Sequence, residues 1–125
     1  MENLYISPDK TTPEVDFNSV TNILKISGES FPENSSGFYD PVFKWLREYT
    51  AGKPSFTFEF KMVYFNTSSS KAILDLITIL EEYHNSGGNV KLIWHYEEDD
   101  DDIMESGQEF TEKLNLHCEL IPYQD

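Results

Sequence analysis

The chain has 125 residues and a mass of 14.5 kDa, which is the size of one compact domain. Nine Lys and Arg against 23 Asp and Glu give a net charge of −14, which opposes nonspecific binding to nucleic acid and to anionic membranes. The single cysteine excludes an internal disulfide and a multi-cysteine zinc site. With no signal-peptide pattern and no apolar run of membrane-spanning length, we expect a soluble cytoplasmic domain over residues 1–125.

The first quarter of the chain favours β-structure. Leu4–Ile6 and Val15–Phe17 are short β-prone segments, and alternating apolar residues predict a strand over Asn22–Ile26. The segment Gly28–Gly37 is rich in Gly, Pro, Asn and Ser, and it is therefore predicted to be a loop.

Apolar residues at helical spacing then predict a helix from about Phe38 to Tyr49. The stripe consists of Phe38, Val42, Trp45, Leu46 and Tyr49. Asp40 is the expected capping residue, and Pro41 fits only within the first turn of a helix because it has no backbone N–H.

The middle of the chain shows the strongest strand. In Ser55–Phe65, aromatic residues alternate with polar ones, and the apolar run Val63–Phe65 predicts that the end of this strand is buried on both faces. A polar turn over Asn66–Ser70 leads into a helix predicted from Lys71 to about His84. Asn89–Tyr96 has the alternation of another strand.

The acidic run Glu97–Asp102 leads into a helix predicted near Ile103–Leu114, and Cys118–Ile121 is predicted to be a final short strand. Strands that are joined through helices favour parallel pairing and right-handed crossovers. Because one face of the predicted strands is polar, we predict an α/β fold in which helices pack mainly on one face of a small mixed sheet.

The residues that could carry chemistry do not form a catalytic or metal-binding pattern. The run Glu97–Asp102 lacks the spacing of a calcium-binding loop, so we interpret it as a solvated segment whose last acids lie at a helix N-terminus. His84, His95 and His117 have no ligand spacing, which favours structural or surface roles. We therefore expect a protein that is not an enzyme and has no cofactor.

The remaining candidate is the hydroxyl-rich turn between the best strand and the best helix. Thr67, Ser68, Ser69 and Ser70 follow Asn66 there, at the carboxyl end of a predicted parallel strand. One hydroxyl is enough to cap a helix, so the others are available for another role. The pattern alone leaves two hypotheses open. Either the hydroxyls serve only to cap the helix, or one exposed hydroxyl is reversibly phosphorylated.

Several segments together resemble the SiaC family of bacterial regulatory phosphoproteins, which are single STAS-like domains similar to anti-sigma-factor antagonists. The resemblance spans nearly the whole chain. It is carried by Gly28-Glu29-Ser30-Phe31-Pro32-Glu33-Asn34, by Tyr64-Phe65-Asn66-Thr67-Ser68-Ser69, by Lys71-Ala72 and by Trp94-His95-Tyr96.

The resemblance implies a partner-switching module in which Thr67 is the phosphorylated residue. It implies a serine/threonine kinase with a histidine-kinase-like ATPase fold, a PPM-class phosphatase, and an unphosphorylated form that binds and activates a diguanylate cyclase. Such a protein controls cyclic di-GMP and thereby biofilm formation or aggregation. The residues expected to contact the partner are Asn66, Ser68, Ser69, Lys71, Glu33 and Asn34.

A second hypothesis from the residues is a constitutive acidic interaction or inhibitor module. It would present Glu97–Asp102 to a basic partner, and its binding would weaken steeply with added salt. Thr67 would have no part in this mechanism.

Overall fold

The computed structural model describes residues 1–124, and Asp125, the last residue of the predicted domain, lies outside them. Six strands form one mixed sheet, and three helices connect the last four strands. The elements in chain order are β1 (Leu4–Ile6), β2 (Glu14–Asn18), β3 (Ile23–Ser30), α1 (Ser35–Ala51), β4 (Ser55–Phe65), α2 (Thr67–Asn85), β5 (Asn89–Glu97), α3 (Asp101–Thr111) and β6 (His117–Tyr123).

The strands lie side by side in the order of the chain. β1, β2 and β3 pair antiparallel, whereas β3, β4, β5 and β6 pair parallel because a helix intervenes between each two of them. The carboxyl ends of β3, β4 and β5 therefore meet at one edge of the sheet, which is the position where open α/β sheets place functional loops. The predicted fold class is confirmed.

The core lies between the helices and one face of the sheet. Phe58 and Phe60 of β4 are fully buried on this face, whereas Glu59 and Lys61 lie on the other face and are only half-buried. Trp94 of β5 is also fully buried, and its indole N–H donates to the carbonyl of Ile103 at 2.9 Å. This alternation is the sheet pattern that the sequence predicted.

Gly107 of α3 allows the helix to approach the ring of Trp94 closely. A Cβ at this position would lie 2.4 Å from Cδ1 of the indole, which is much shorter than any real carbon contact. The absence of a side chain at Gly107 is therefore a packing requirement.

The first helix begins earlier than the sequence predicted. The side chain of Asn34 accepts a hydrogen bond from the N–H of Gly37 at 3.0 Å, so Asn34 is the cap and the predicted cap Asp40 lies inside α1. Pro41 is consequently well inside the helix and outside its first turn, with its exposed ring toward solvent. The predicted loop is also shorter, because β3 continues to Ser30.

The end of β4 is not buried on both faces, which corrects the prediction from its apolar residues. The pairing of β4 with β5 ends at Lys61, and the register with β3 shifts by one residue at Val63. Val63 and Tyr64, which lie beyond the last residue of β4 that pairs with β5, are half-exposed, at 53% and 52%.

None of the helices within residues 1–124 is long and apolar enough to cross a membrane.

Candidate functional site

The hydroxyl-rich segment is the start of α2 rather than a separate turn. Asn66 is the cap, since its side-chain oxygen accepts from the N–H of Ser69 at 3.0 Å and its carbonyl accepts from the N–H of Ser70 at 2.8 Å. Thr67 is thus the first residue of the helix, and an amide side chain rather than a hydroxyl makes the cap. The hydroxyls of this segment are not needed for capping.

The structure gives neighbouring hydroxyls different environments. Thr67 is exposed, and no side-chain hydrogen bond within residues 1–124 engages its hydroxyl. Ser68 is exposed too, but its hydroxyl hydrogen bonds with that of Ser35 at 2.7 Å and donates to Asn66 at 3.2 Å. Ser69 is fully buried. A reagent or enzyme approaching from solvent therefore finds the hydroxyl of Thr67 accessible and unengaged.

The buried hydroxyl of Ser69 belongs to a network that joins three elements. The hydroxyl of Ser30 at the end of β3 donates to Ser69 at 2.8 Å and hydrogen bonds with the phenol of Tyr39 in α1 at 2.7 Å. Burial raises the pKa of Tyr39 above its ordinary value, so the phenol remains protonated. The network fixes the start of α2 against β3 and α1. The expectation that Ser69 contacts a partner is corrected, because its side chain faces the interior.

The start of α1 lies beside the start of α2, as the Ser35–Ser68 hydrogen bond shows. Glu33 and Asn34 precede α1 and share a shallow cleft with Ser68 and Lys71. The side chain of Asn34 is used in capping, while Glu33 is exposed. The fold therefore brings the distant segments near residues 33 and 67 together at one end of the sheet.

An exposed apolar patch at the same edge was not predicted. Phe31, Val63 and Tyr64 are each more than a third exposed, and the rings of Phe31 and Tyr64 lie 5.8 Å apart in an edge-to-face arrangement. Phe31 directly follows Ser30, whose carbonyl accepts from the N–H of Asn66 at 3.0 Å. The only sequence signal was the unbroken apolar run of β4, which we interpreted as burial.

The exposed side of α2 carries one further unpredicted apolar residue. Leu74 is 48% exposed and lies seven residues after Thr67, which places both on one face of the helix. Contiguous exposed apolar patches with polar rims are typical of protein-binding surfaces, whereas a single exposed residue such as Leu74 is ordinary on its own.

The acidic run is divided between a turn and a helix start. Asp100 caps α3 by accepting from the N–H of Ile103 at 3.1 Å, and Asp101 and Asp102 occupy its first turn. This agrees with the interpretation that the last acids lie favourably at a helix N-terminus. Among residues 1–124, no group of three or more His, Cys, Asp or Glu is arranged to hold a metal ion.

Comparison with known proteins gives consistent findings. The model of the SiaC family of regulatory phosphoproteins matches residues 6–123. The chain belongs to the SiaC family. An uncharacterised protein of Pseudomonas aeruginosa strain UCBPP-PA14 is 34% identical over 117 residues, which cover 93% of each chain.

Solved structures of the SiaC family have the same fold. Apo-SiaC from Pseudomonas aeruginosa is 32% identical with a TM-score of 0.90, covering 97% of this chain and 99% of that one. A second structure is the complex of the diguanylate cyclase SiaD with its activator SiaC, also from Pseudomonas aeruginosa. One chain in it is 30% identical to this chain with a TM-score of 0.92, and the match covers 96% of this chain and 99% of that one. The predicted family is confirmed.

Proposed function

We propose that this SiaC family member is a partner-switching protein without enzymatic activity, controlled by reversible phosphorylation of Thr67. The unphosphorylated chain binds and activates a diguanylate cyclase, and the phosphorylated chain does not. The observation that carries the proposal is that Thr67 is exposed and its hydroxyl makes no side-chain hydrogen bond with residues 1–124, beside a buried network that holds the start of α2 in place.

Physical chemistry explains how one hydroxyl can act as the switch. A neutral hydroxyl can enter a dry interface at little cost, whereas phosphorylation adds a charge of about −1.5 to −2. Removing that charge from water without a partner costs several kcal/mol. Since each 1.4 kcal/mol changes affinity about tenfold, this difference is sufficient to release a partner.

The surface around Thr67 has the composition of a docking site. The polar residues expected to contact the cyclase are Asn66, Ser68, Lys71, Glu33 and Asn34, and the exposed apolar residues Phe31, Val63, Tyr64 and Leu74 extend the same region. A relative in complex with a diguanylate cyclase supports this kind of partner.

The switch requires two further enzymes and a compartment with ATP. The family resemblance indicates a serine/threonine kinase with a histidine-kinase-like ATPase fold and a PPM-class phosphatase. The proposed location is therefore the cytoplasm, where a kinase has access to ATP.

The acidic alternative has less support. Asp100, Asp101 and Asp102 lie in the cap and first turn of α3, where they stabilise the helix. A constitutive acidic partner site would therefore consist mainly of the three remaining acids of the run.

Mapping the phosphate on protein purified from its native host tests the proposal. We expect intact-mass spectrometry to show a fraction of chains with one added phosphate, and peptide mapping to place it on Thr67. A Thr67→Val chain expressed in the same host should carry none. Phosphate on Ser68 alone would contradict the proposal. So would the absence of phosphate both in cells grown to induce aggregation and in cells grown to repress it.

A further inference from the structure

Lys71 and Asp75 form an ion pair one turn into α2. The ammonium of Lys71 lies 3.4 Å from a carboxylate oxygen of Asp75, and the two side chains are 76% and 49% exposed. In this pair the cation precedes the anion by four residues. That order is the less favourable one on a helix, because the cation rather than the anion is the partner nearer the positive N-terminal end.

The chain contains a pair of the opposite order for comparison. On α1, Asp40 precedes Lys44 by four residues, and their charged atoms lie 3.1 Å apart. Both pairs are exposed and each lies on one helix. The pair on α2 is thus the longer of the two and has the weaker orientation, so its lysine can be recruited by a better anion.

Thr67 lies four residues before Lys71, on the same face of α2. An anion at Thr67 would form a pair with Lys71 in the favourable order, with the negative group nearer the helix N-terminus. The first turn of α2 contains no acidic residue that would compete or repel.

Among residues 1–124, Lys71 is also the only cation that lines the cleft between the starts of α1 and α2. The other charged residues that line it are Glu33 and Asp75. The ammonium of Lys71 therefore offsets part of the negative charge in the cleft while Thr67 is unmodified.

We propose that a phosphate on Thr67 recruits Lys71 from Asp75. This inference rests on the proposed phosphorylation of Thr67 and states what the phosphate does inside the chain. Asp75 then loses its pairing partner, and the cleft gains an unpaired negative charge about two turns beyond the modified residue. Phosphorylation thus changes the docking surface at two places, directly at Thr67 and through Lys71 in the cleft.

A phosphorus NMR titration tests the pairing without any kinase or partner. Phosphothreonine is incorporated at position 67 during translation, in the otherwise unmodified chain and in chains with Lys71→Gln or Lys44→Gln. A paired ammonium favours the dianionic phosphate, so we expect Lys71→Gln to raise the midpoint of the phosphate titration by about half a pH unit. Lys44→Gln, which removes the matched exposed lysine of α1, should leave the midpoint unchanged.

Equal midpoints in the unmodified and Lys71→Gln chains, or equal shifts for both variants, would overturn the inference. Circular dichroism of the three chains checks that the helices are intact. Because the phosphate is installed during translation, this result is independent of whether a kinase uses Thr67 in the host. Failure of the proposed function would instead be seen in the phosphate mapping.

Discussion

Replacing Thr67 with glutamate is expected to weaken binding to the host's diguanylate cyclase by about 100-fold or more. The carboxylate would place a negative charge on an exposed position of the proposed interface, where it must be removed from water when the partner binds. Calorimetric or surface-based titration of the purified cyclase with the variant gives the affinity directly.

Two matched variants separate charge from other effects of the substitution. Thr67→Val keeps the branched shape and removes a hydroxyl that makes no side-chain hydrogen bond within residues 1–124, so binding should stay within about threefold of the unmodified chain. A chain with Glu97 and Glu98 changed to Gln and Asp99 changed to Asn, which neutralises the acids outside the cap and first turn of α3, should also bind normally. If that chain loses binding while the Thr67→Glu chain retains it, the acidic-module hypothesis is favoured instead.

Adding one methyl group at Gly107 is expected to destabilise the fold by about 2 kcal/mol, even though alanine favours helices. The new Cβ would lie 2.4 Å from the fully buried indole of Trp94, so the ring or α3 must move. Urea unfolding followed by circular dichroism measures the change in free energy of unfolding.

Trp94→Ala should destabilise the fold further, by about 3–5 kcal/mol, because it leaves a large cavity and removes the hydrogen bond from the indole N–H to the carbonyl of Ile103. Gln108→Ala, at the exposed neighbour of Gly107, is the control and should change stability by less than about 0.5 kcal/mol. A Gly107→Ala chain as stable as this control would show that α3 does not pack on Trp94 as described.

The alternation of apolar and polar residues predicted the sheet well. The limits of β4 were predicted correctly and those of β5 to within one residue, because a strand with one buried face leaves a period of two in its sequence. The polar face of β4 and β5 predicted that the helices lie mainly on one side, and it is carried by Thr57, Glu59, Lys61, Lys91 and His95.

Helix starts were predicted less well because apolar spacing reports the buried stripe rather than the cap. Asn34 and Asn66 begin α1 and α2 several residues before the first expected helical position. Asparagine also favours turns and loops, so the sequence does not distinguish a capping Asn from one in a connecting segment.

The accessibility of each hydroxyl could not be predicted from local sequence. The buried hydroxyl of Ser69 hydrogen bonds with Ser30, and the hydroxyl of Ser68 hydrogen bonds with Ser35. Each of these contacts joins residues more than thirty positions apart in the sequence. The apolar run at Val63 and Tyr64 failed as a burial signal for a similar reason. Its exposure depends on where the pairing of β4 with β5 ends.

The most direct measurement is a pair of titrations against the host's diguanylate cyclase, with chains that differ only in a translationally incorporated phosphothreonine at position 67. The unphosphorylated chain should bind and stimulate cyclic di-GMP synthesis, whereas the phosphorylated chain should bind about 100-fold more weakly or not at all. Equal affinity and equal stimulation by the two chains would contradict the proposal that Thr67 is the switch.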